Sequence, residues 1–380
     1  MSVSKVPEKV RYLLWAKSAG RCEFDGCNKP VWRDGLTKIE MDFADVAHII
    51  GDKSGGPRGD VVLSREYCSD VSNLMLMCLD HHRMIDQITK TYSDDVLRQM
   101  KLMHEQRVER QTEIKHDKTS NVLVYKGIIG KYQPKVDFQD TWPAMEPEWY
   151  PSNRLPIELG LTNSAVQDDE VDFWSNETKN LERQFNNKVK PLIDNPGERN
   201  HFSVFAIGPQ PLLIKLGTLF SDIYPAEVYQ LHREPTTWEW QPGPEKFEYT
   251  VEEPATYQGA IALILSLSAT IDSMRIKSVF GNRKYSEWKI TIADPYNDYL
   301  RSKAQLQMLR TEFRRLLNKI KAKHGENATI HVFPAIPVSV AVEIGRVWQP
   351  KADLPLIIYD QNRKLKGFSP ALKIGDSKND

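Results

Sequence analysis

Ser72-Asn73-Leu74-Met75-Leu76-Met77-Cys78-Leu79-Asp80-His81-His82 decides how the first third of this chain is read. The stretch leads into a helix expected to begin near Leu79, and it closes on a Cys78-x2-His81 pair. A second pair, Cys22-x4-Cys27, lies upstream, and Cys68 is the only other cysteine. All four cysteines therefore fall in the first 78 of 380 residues. In a large intracellular chain, clustered Cys and His point to metal rather than to disulfides. Each short spacing lets two side chains converge on one ion, and two pairs complete a tetrahedron. Three thiolates and an imidazole favour zinc. Cys22, Cys27, Cys78 and His81 are thus expected to hold a structural zinc, the competing reading being unligated core thiols. Cys68 is left as a buried thiol or a replacement ligand.

The length suggests two domains. The composition, 40% hydrophobic and 27% charged, is that of a globular protein. No apolar run is long enough to cross a bilayer, since Ala260-Ile261-Ala262-Leu263-Ile264-Leu265 is soon followed by Ser266 and Ser268. Lys5, Glu8, Lys9 and Arg11 interrupt any secretory signal, so a cytoplasmic location and no membrane partner are expected. The 51 basic residues balance 51 acidic ones, and residues 1–130 carry 20 against 19. Bulk charge lends no support to nucleic-acid binding, so any basic face has to come from local arrangement.

The spacing predicts a helix over Pro7–Ala16 ended by Gly20, and a strand ending near His48. A Gly- and Pro-rich loop, 51–59, a short element near Leu63–Tyr67 and a helix from Asp94 capped by Ser93 follow. The reading places a first domain at 1–120, a connecting segment at 121–155 that opens on a strand or adaptor at Asn121–Tyr125, and a second domain at 156–380. No internal repeat is evident. In the second domain strand-like Phe202–Ile207, Ala226–Leu231, Ala260–Ser268, Ser286–Ile292, Thr329–Pro334 and Pro355–Tyr359 alternate with helix-like Pro211–Phe220 and Ser302–His324. Such alternation argues for an α/β domain with a largely parallel sheet. Ligands in such sheets sit beyond the carboxyl ends of strands, which directs attention to loops 208–211, 232–240, 334–339 and 360–364.

The metal pairs leave His48, Asn73 and His82 unexplained. Cutting a phosphodiester needs a base for water and a divalent ion to offset charge on the phosphate. Imidazole can serve either role near neutral pH. Ala47-His48-Ile49-Ile50, with Ser72-Asn73 through Cys78 and Leu79-Asp80-His81-His82, resembles the HNH endonuclease family over roughly residues 15–90. The resemblance implies an α+β, ββα-metal fold with a zinc knuckle formed by Cys22, Cys27, Cys78 and His81. It makes His48 the general base, Asn73 the organiser and His82 a ligand of the catalytic Mg2+ or other divalent ion. Where the family places Asp or His directly before its catalytic histidine, this chain has Ala47. Asp45 is the nearest carboxylate, but in a regular strand it faces away from His48, so a bulge or turn is expected if it joins the ion.

Tyr229, His232 and Arg233 precede Trp238-Glu239-Trp240, and such rings and guanidinium groups suit bases and phosphates. The plainer fate of each aromatic is packing within the domain. His232-Arg233, Trp238-x-Trp240, Ile330-His331-Val332-Phe333-Pro334-Ala335-Ile336-Pro337, Glu343-Ile344-Gly345-Arg346 and Tyr359-Asp360 resemble the SAVED domain over roughly residues 150–370. The resemblance implies an α/β fold of two fused CARF-like Rossmannoid halves. HNH followed by SAVED resembles the Cap5-type effectors of bacterial cyclic-oligonucleotide anti-phage (CBASS) systems. That implies a cyclic di- or trinucleotide ligand from a cognate nucleotidyltransferase and a double-stranded DNA substrate. It also implies a homo-oligomer, dimeric at rest and larger when activated. Lys215 and Arg233 are the candidates for phosphate, Trp238, Tyr257 and Phe333 for bases, and Pro334 and Pro337 for the pocket wall; Arg346 is equally suited to a structural salt bridge. Competing readings are a constitutive or modification-dependent restriction nuclease and a catalytically silent zinc-binding scaffold.

Overall fold

The computed structural model describes residues 6–113, 117–130, 132–160, 170, 172–195, 201–362 and 367–375. They belong to two compact units, Met1–His116 and Asp117–Asp380. None of the described helices is long and apolar enough to cross a membrane.

In the first unit, helix α1 (Glu8–Lys17) buries Leu14 and ends in a left-handed turn at Ala19 and Gly20 that delivers the chain to Cys22. Strand β1 (Ala44–His48) is followed by the Gly- and Pro-rich loop, helix α2 (Leu63–Glu66) and strand β2 (Leu74–Cys78). β1 and β2 pair antiparallel, Ala44 opposite Cys78 and His48 opposite Leu74. Helix α3 (Leu79–Gln87) starts where β2 stops, and helix α4 (Asp94–Thr112) is capped by the Ser93 hydroxyl. Every residue of β2 is buried, because both α1 and α3 pack against it. That double coverage explains why Leu74–Met77 reads as an unbroken apolar run rather than an alternating one. The loop between β1 and α2 folds tightly on itself: a Cβ on Gly59 would lie 2.1 Å from the Lys53 carbonyl oxygen.

The second unit starts earlier than its sequence suggests. Segment 121–155, expected as a connector, holds strand β3 (Thr119–Lys126), helix α5 (Phe138–Met145) and strand β4 (Tyr150–Pro151). β3 is the inner strand of a sheet, with Val122, Leu123, Val124 and Tyr125 buried, so it is core and not linker. Strand β5 (Ile157–Leu159), helices α6 (Phe173–Lys188) and α7 (Lys190–Ile193), strand β6 (Phe202–Ile207), helix α8 (Gln210–Phe220) and strand β7 (Ala226–Tyr229) complete the first half. β4 and β5 pair with one edge of β3, β6 with the other and β7 with β6, all in parallel.

A small hairpin, β8 (His232–Arg233) with β9 (Thr236–Thr237), leads to a second sheet. Its elements are β10 (Thr250–Glu252), β11 (Ala260–Ser266), α9 (Ser273–Phe280), β12 (Tyr285–Thr291), α10 (Lys303–His324), β13 (Ile330–Ala335), α11 (Val338–Val347), β14 (Leu356–Asn362) and β15 (Gly367–Ile374). The order is β10-β12-β11-β13-β14-β15, with a parallel centre and antiparallel edges. Two sheets thus replace the single one that strand–helix alternation suggests.

The halves repeat a strand–helix unit, as the expected pair of fused α/β halves requires, although no repeat is evident in the sequence. β6 leads through Pro209 into α8, and β13 leads through Pro337 into α11. Each helix carries a glycine, Gly217 or Gly345, eight residues beyond its proline. A Cβ on Gly217 would lie 1.9 Å from the Val342 carbonyl oxygen, and one on Gly345 1.9 Å from that of Ile214. The helices cross backbone to backbone, which no side chain permits. Changing Gly345 to alanine is expected to destabilise this unit by about 1–3 kcal/mol through overpacking. Chemical denaturation of the full chain measures it, and an unchanged midpoint would contradict the crossing.

Candidate functional site

Cys22 follows the Gly20 turn, and Cys27 follows a turn at Gly26 in which its own N–H reaches the Phe24 carbonyl. Cys78 closes β2, and His81 sits in the first turn of α3. The three sulfurs and one imidazole nitrogen all lie within 4.8 Å of one another. His81 Nδ1 is the inward nitrogen, 3.3 Å from Cys78 Sγ and 3.7 Å from Cys22 Sγ, with its ring stacked on Phe24. Burial pushes the Cys22 thiol up to about 12, and neighbouring thiolates at Cys78 and Cys27 add to the rise. Held as thiolates at this spacing, the three sulfurs would need a cation among them, and a donor set of three sulfurs and one nitrogen fits zinc. Cys68 stands outside the cluster.

The second group surrounds α3. His48 is nearly buried, with Nε2 3.0 Å from the Cys68 carbonyl oxygen. A carbonyl only accepts, so Nε2 is the donor in this contact, which in a neutral ring leaves the lone pair at Nδ1. Asn73 is fully buried and committed to backbone: its Oδ1 accepts from Ile50 N–H, and its Nδ2 donates to the Ile50 and Tyr67 carbonyls. It therefore pins the chain just beyond His48. His82 lies between two carboxylates, with Nδ1 3.3 Å from Asp45 Oδ2 and Nε2 3.5 Å from Asp86 Oδ2. Asp45 reaches His82 from a strand of unbroken register, so no bulge is required. Asp45, His82 and Asp86 line a groove of about 1290 Å3, shared with Arg11 and Arg83. His48 is not part of its wall. Sequence reading missed Asp86, although it lies one helical turn beyond His82, and Arg58, which was hidden among loop glycines.

In the second unit a crevice of about 1120 Å3 opens where the carboxyl ends of β6, β7, β11, β13 and β14 meet the starts of α8 and α11. The four loops singled out from sequence all contribute to it; residues 363 and 364 of the last lie outside the described residues. Arg233, Pro334 and Pro337 line it. The other candidates do not. Lys215 is ion-paired with Glu182 at 2.6 Å. Trp238 is buried edge-on against Phe205, and Phe333 is sealed between Tyr359, Phe368 and Phe280 on one face of the second sheet. Tyr257 packs by Trp288 and His324 with Lys323 over its ring. Hydrophobic packing claims these rings, as it claims most aromatics. Arg346 is buried and spans Glu343 and the carbonyls of Ser221, Tyr224 and Ala226, a structural role.

Two glutamines stitch the crevice. Gln210 Nε2 donates to the Ile336 carbonyl while its buried Oε1 has no hydrogen-bond partner among the described residues, and Gln230 Oε1 accepts from the N–H and hydroxyl of Ser339. Arg275, over the Phe368 ring and bonded to Gln361, supplies positive charge on the far wall. The starts of α8 and α11 also border the crevice, and a helix N-terminus attracts anions, although Pro209 and Pro211 carry no N–H and the Ser339 N–H is taken by Gln230. His232 is buried at the rim; neither ring nitrogen has a hydrogen bond among the described residues, and Nδ1 lies 3.8 Å from Asp298 Oδ1. Burial, reinforced by Arg301 and opposed by Asp298, holds its imidazole below the usual range.

These features define a double α/β unit with a crevice at the carboxyl ends of its strands, in a chain that also carries a compact thiol–imidazole cluster suited to a metal. The chain belongs to the SAVED family: the model of the "SMODS-associated and fused to various effectors sensor domain" matches residues 181–374. The fold is similar to that of the Acinetobacter baumannii Cap4 SAVED/CARF-domain containing receptor with the cyclic trinucleotide 2'3'3'-cAAA, at 10% identity and a TM-score of 0.44. That match covers 78% of this chain and 62% of the receptor. The Moraxella osloensis Cap4 receptor is similar at 11% identity and a TM-score of 0.38, with 77% and 60% covered. The chain thus spans about three fifths of the solved receptors it matches. No curated protein matches it.

Proposed function

We propose that this chain is a divalent-metal-dependent HNH endonuclease, switched on by a cyclic oligonucleotide, that degrades double-stranded DNA in bacterial anti-phage defence. One observation carries the nuclease reading: the thiol–imidazole cluster fixes the start of α3 so that His82 stands between Asp45 and Asp86. In this reading His48 Nδ1 takes the proton of the attacking water, and Asn73 holds the end of β1 in place. His82 and Asp45 offer an imidazole and a carboxylate, donors that suit Mg2+ or Mn2+. A divalent ion bound there would offset the charge that builds on the phosphate. The zinc of Cys22, Cys27, Cys78 and His81 takes no part in the cut.

The sensor reading rests on SAVED membership and on the crevice, which combines two helix starts, Arg233, Arg275 and a Gln210 oxygen without a hydrogen-bond partner among the described residues. Its volume suits a cyclic di- or trinucleotide. The ligand then has to favour one assembly over another, since equal affinity for both shifts nothing. Plasmid cutting with Mg2+ across a panel of cyclic di- and trinucleotides, with sedimentation alongside, tests both readings. Cutting and a larger assembly are expected with one ligand and not without it. Equal cutting in its absence would defeat the switch. A non-cutting scaffold is the second reading, favoured by the exclusion of His48 from the groove wall, and failure to cut under every condition would establish it.

A further inference from the structure

Arg58 lies in the glycine loop at a left-handed backbone angle of +52°, with its side chain only 6% exposed. Its guanidinium is spent on the frame of the first unit. Nε donates to the Ile49 carbonyl at 2.8 Å, and Nη1 donates to the Ile85 carbonyl. Nη2 donates both to the His48 carbonyl at 3.2 Å and to Asp86 Oδ1 at 2.8 Å. One planar group therefore joins the end of β1, which bears His48, to the helix that bears His82. Lysine, a point charge with no fork, cannot make this set of bonds.

Asp86 has its second oxygen against His82 Nε2, while Asp45 faces Nδ1. A neutral imidazole donates from one nitrogen and offers a lone pair at the other, and its hydrogen-bond partner sets which. Asp86 is anchored by Arg58, whereas Asp45 has no cationic side chain within ion-pair distance except His82, among the described residues. A carboxylate already shared with a guanidinium is a poor additional ligand for a cation, so Asp86 is left to orient the ring while Asp45 stays open to an ion.

We propose that Arg58 and Asp86 are a positioning pair: Asp86 accepts the proton of His82 Nε2, so that the lone pair at Nδ1 is presented beside Asp45, and Arg58 locks this arrangement to the strand of His48. Asp45 then supplies the carboxylate that Ala47 lacks. The rate consequence rests on the nuclease reading; the ring tautomer does not.

The tautomer is read from the histidine ring 15N signals of the full-length protein with zinc retained and no Mg2+ added, with His82→Gln for assignment. His82 is expected as the Nε2–H form, and Asp86→Ala is expected to abolish that preference while zinc content is kept. In cleavage assays Asp86→Ala and Arg58→Lys are expected to lose about 10- to 100-fold at limiting Mg2+. More Mg2+ restores part of the loss, and KM for DNA is unchanged. A purely structural role would lower the melting temperature without moving tautomer or Mg2+ dependence. An Nδ1–H ring in the wild type, or an Asp86→Ala protein with unaltered tautomer, would overturn the inference. If the wild type cuts no DNA at all, the nuclease reading fails separately, and the ring signals still decide the pair.

Discussion

Stripping the metal from the Cys22, Cys27, Cys78 and His81 cluster is expected to unfold residues 6–113 and leave the unfolding transition of the second unit in place. A structural zinc contributes about 10–16 kcal/mol in small metal-bound folds, as much as or more than the roughly 5–15 kcal/mol by which ordinary domains are stable. Among the described residues the first unit has a core of a dozen buried side chains, and two of those are themselves cluster cysteines, Cys22 and Cys78. Loss of the ion leaves three sulfur ligands and the His81 nitrogen without their common partner, and frees the turn that starts α3. Cys78→Ser should reproduce the effect without a chelator. Calorimetry should show two transitions in the zinc-loaded chain and one after chelation, with one zinc released per chain. Survival of both transitions without metal would show that the thiols are simply packed.

Replacing His48 with alanine should slow DNA cutting by roughly 10²–10⁴-fold, the usual contribution of a positioned general base. The ring's hydrogen bond is to a single carbonyl, of Cys68, and the zinc cluster lies on other residues. Zinc content and binding of the activating ligand should therefore be retained. The measurement is the single-turnover rate at saturating ligand and Mg2+. An undiminished rate would remove His48 from the chemistry and move attention to the Asp45–His82–Asp86 groove.

Local patterns in the sequence foretold much of this architecture, and distant partnerships did not. Phe202–Ile207 and the helix that Ser302 caps are legible because apolar spacing and a capping hydroxyl are local signals. The Cys and His spacing likewise announces the converging cluster. Val122–Tyr125 could not be distinguished as core strand or adaptor, since its neighbour β6 lies some eighty residues along the chain. Lys215 looked available for phosphate because Glu182, its partner, is on another helix. The aromatic candidates failed for a related reason: a ring suited to a base is equally suited to a hydrophobic core, and only the fold decides between them. Arg58 was invisible because its four acceptors are assembled from two remote segments.

The crossing of α8 and α11 at Gly217 and Gly345 sets how a bound molecule can be sensed. Parting the two halves like jaws would break this main-chain contact. On the proposed sensor reading, an occupant that leaves the contact intact acts at the crevice lip, by altering what that lip offers to another molecule, rather than by prising the domain open.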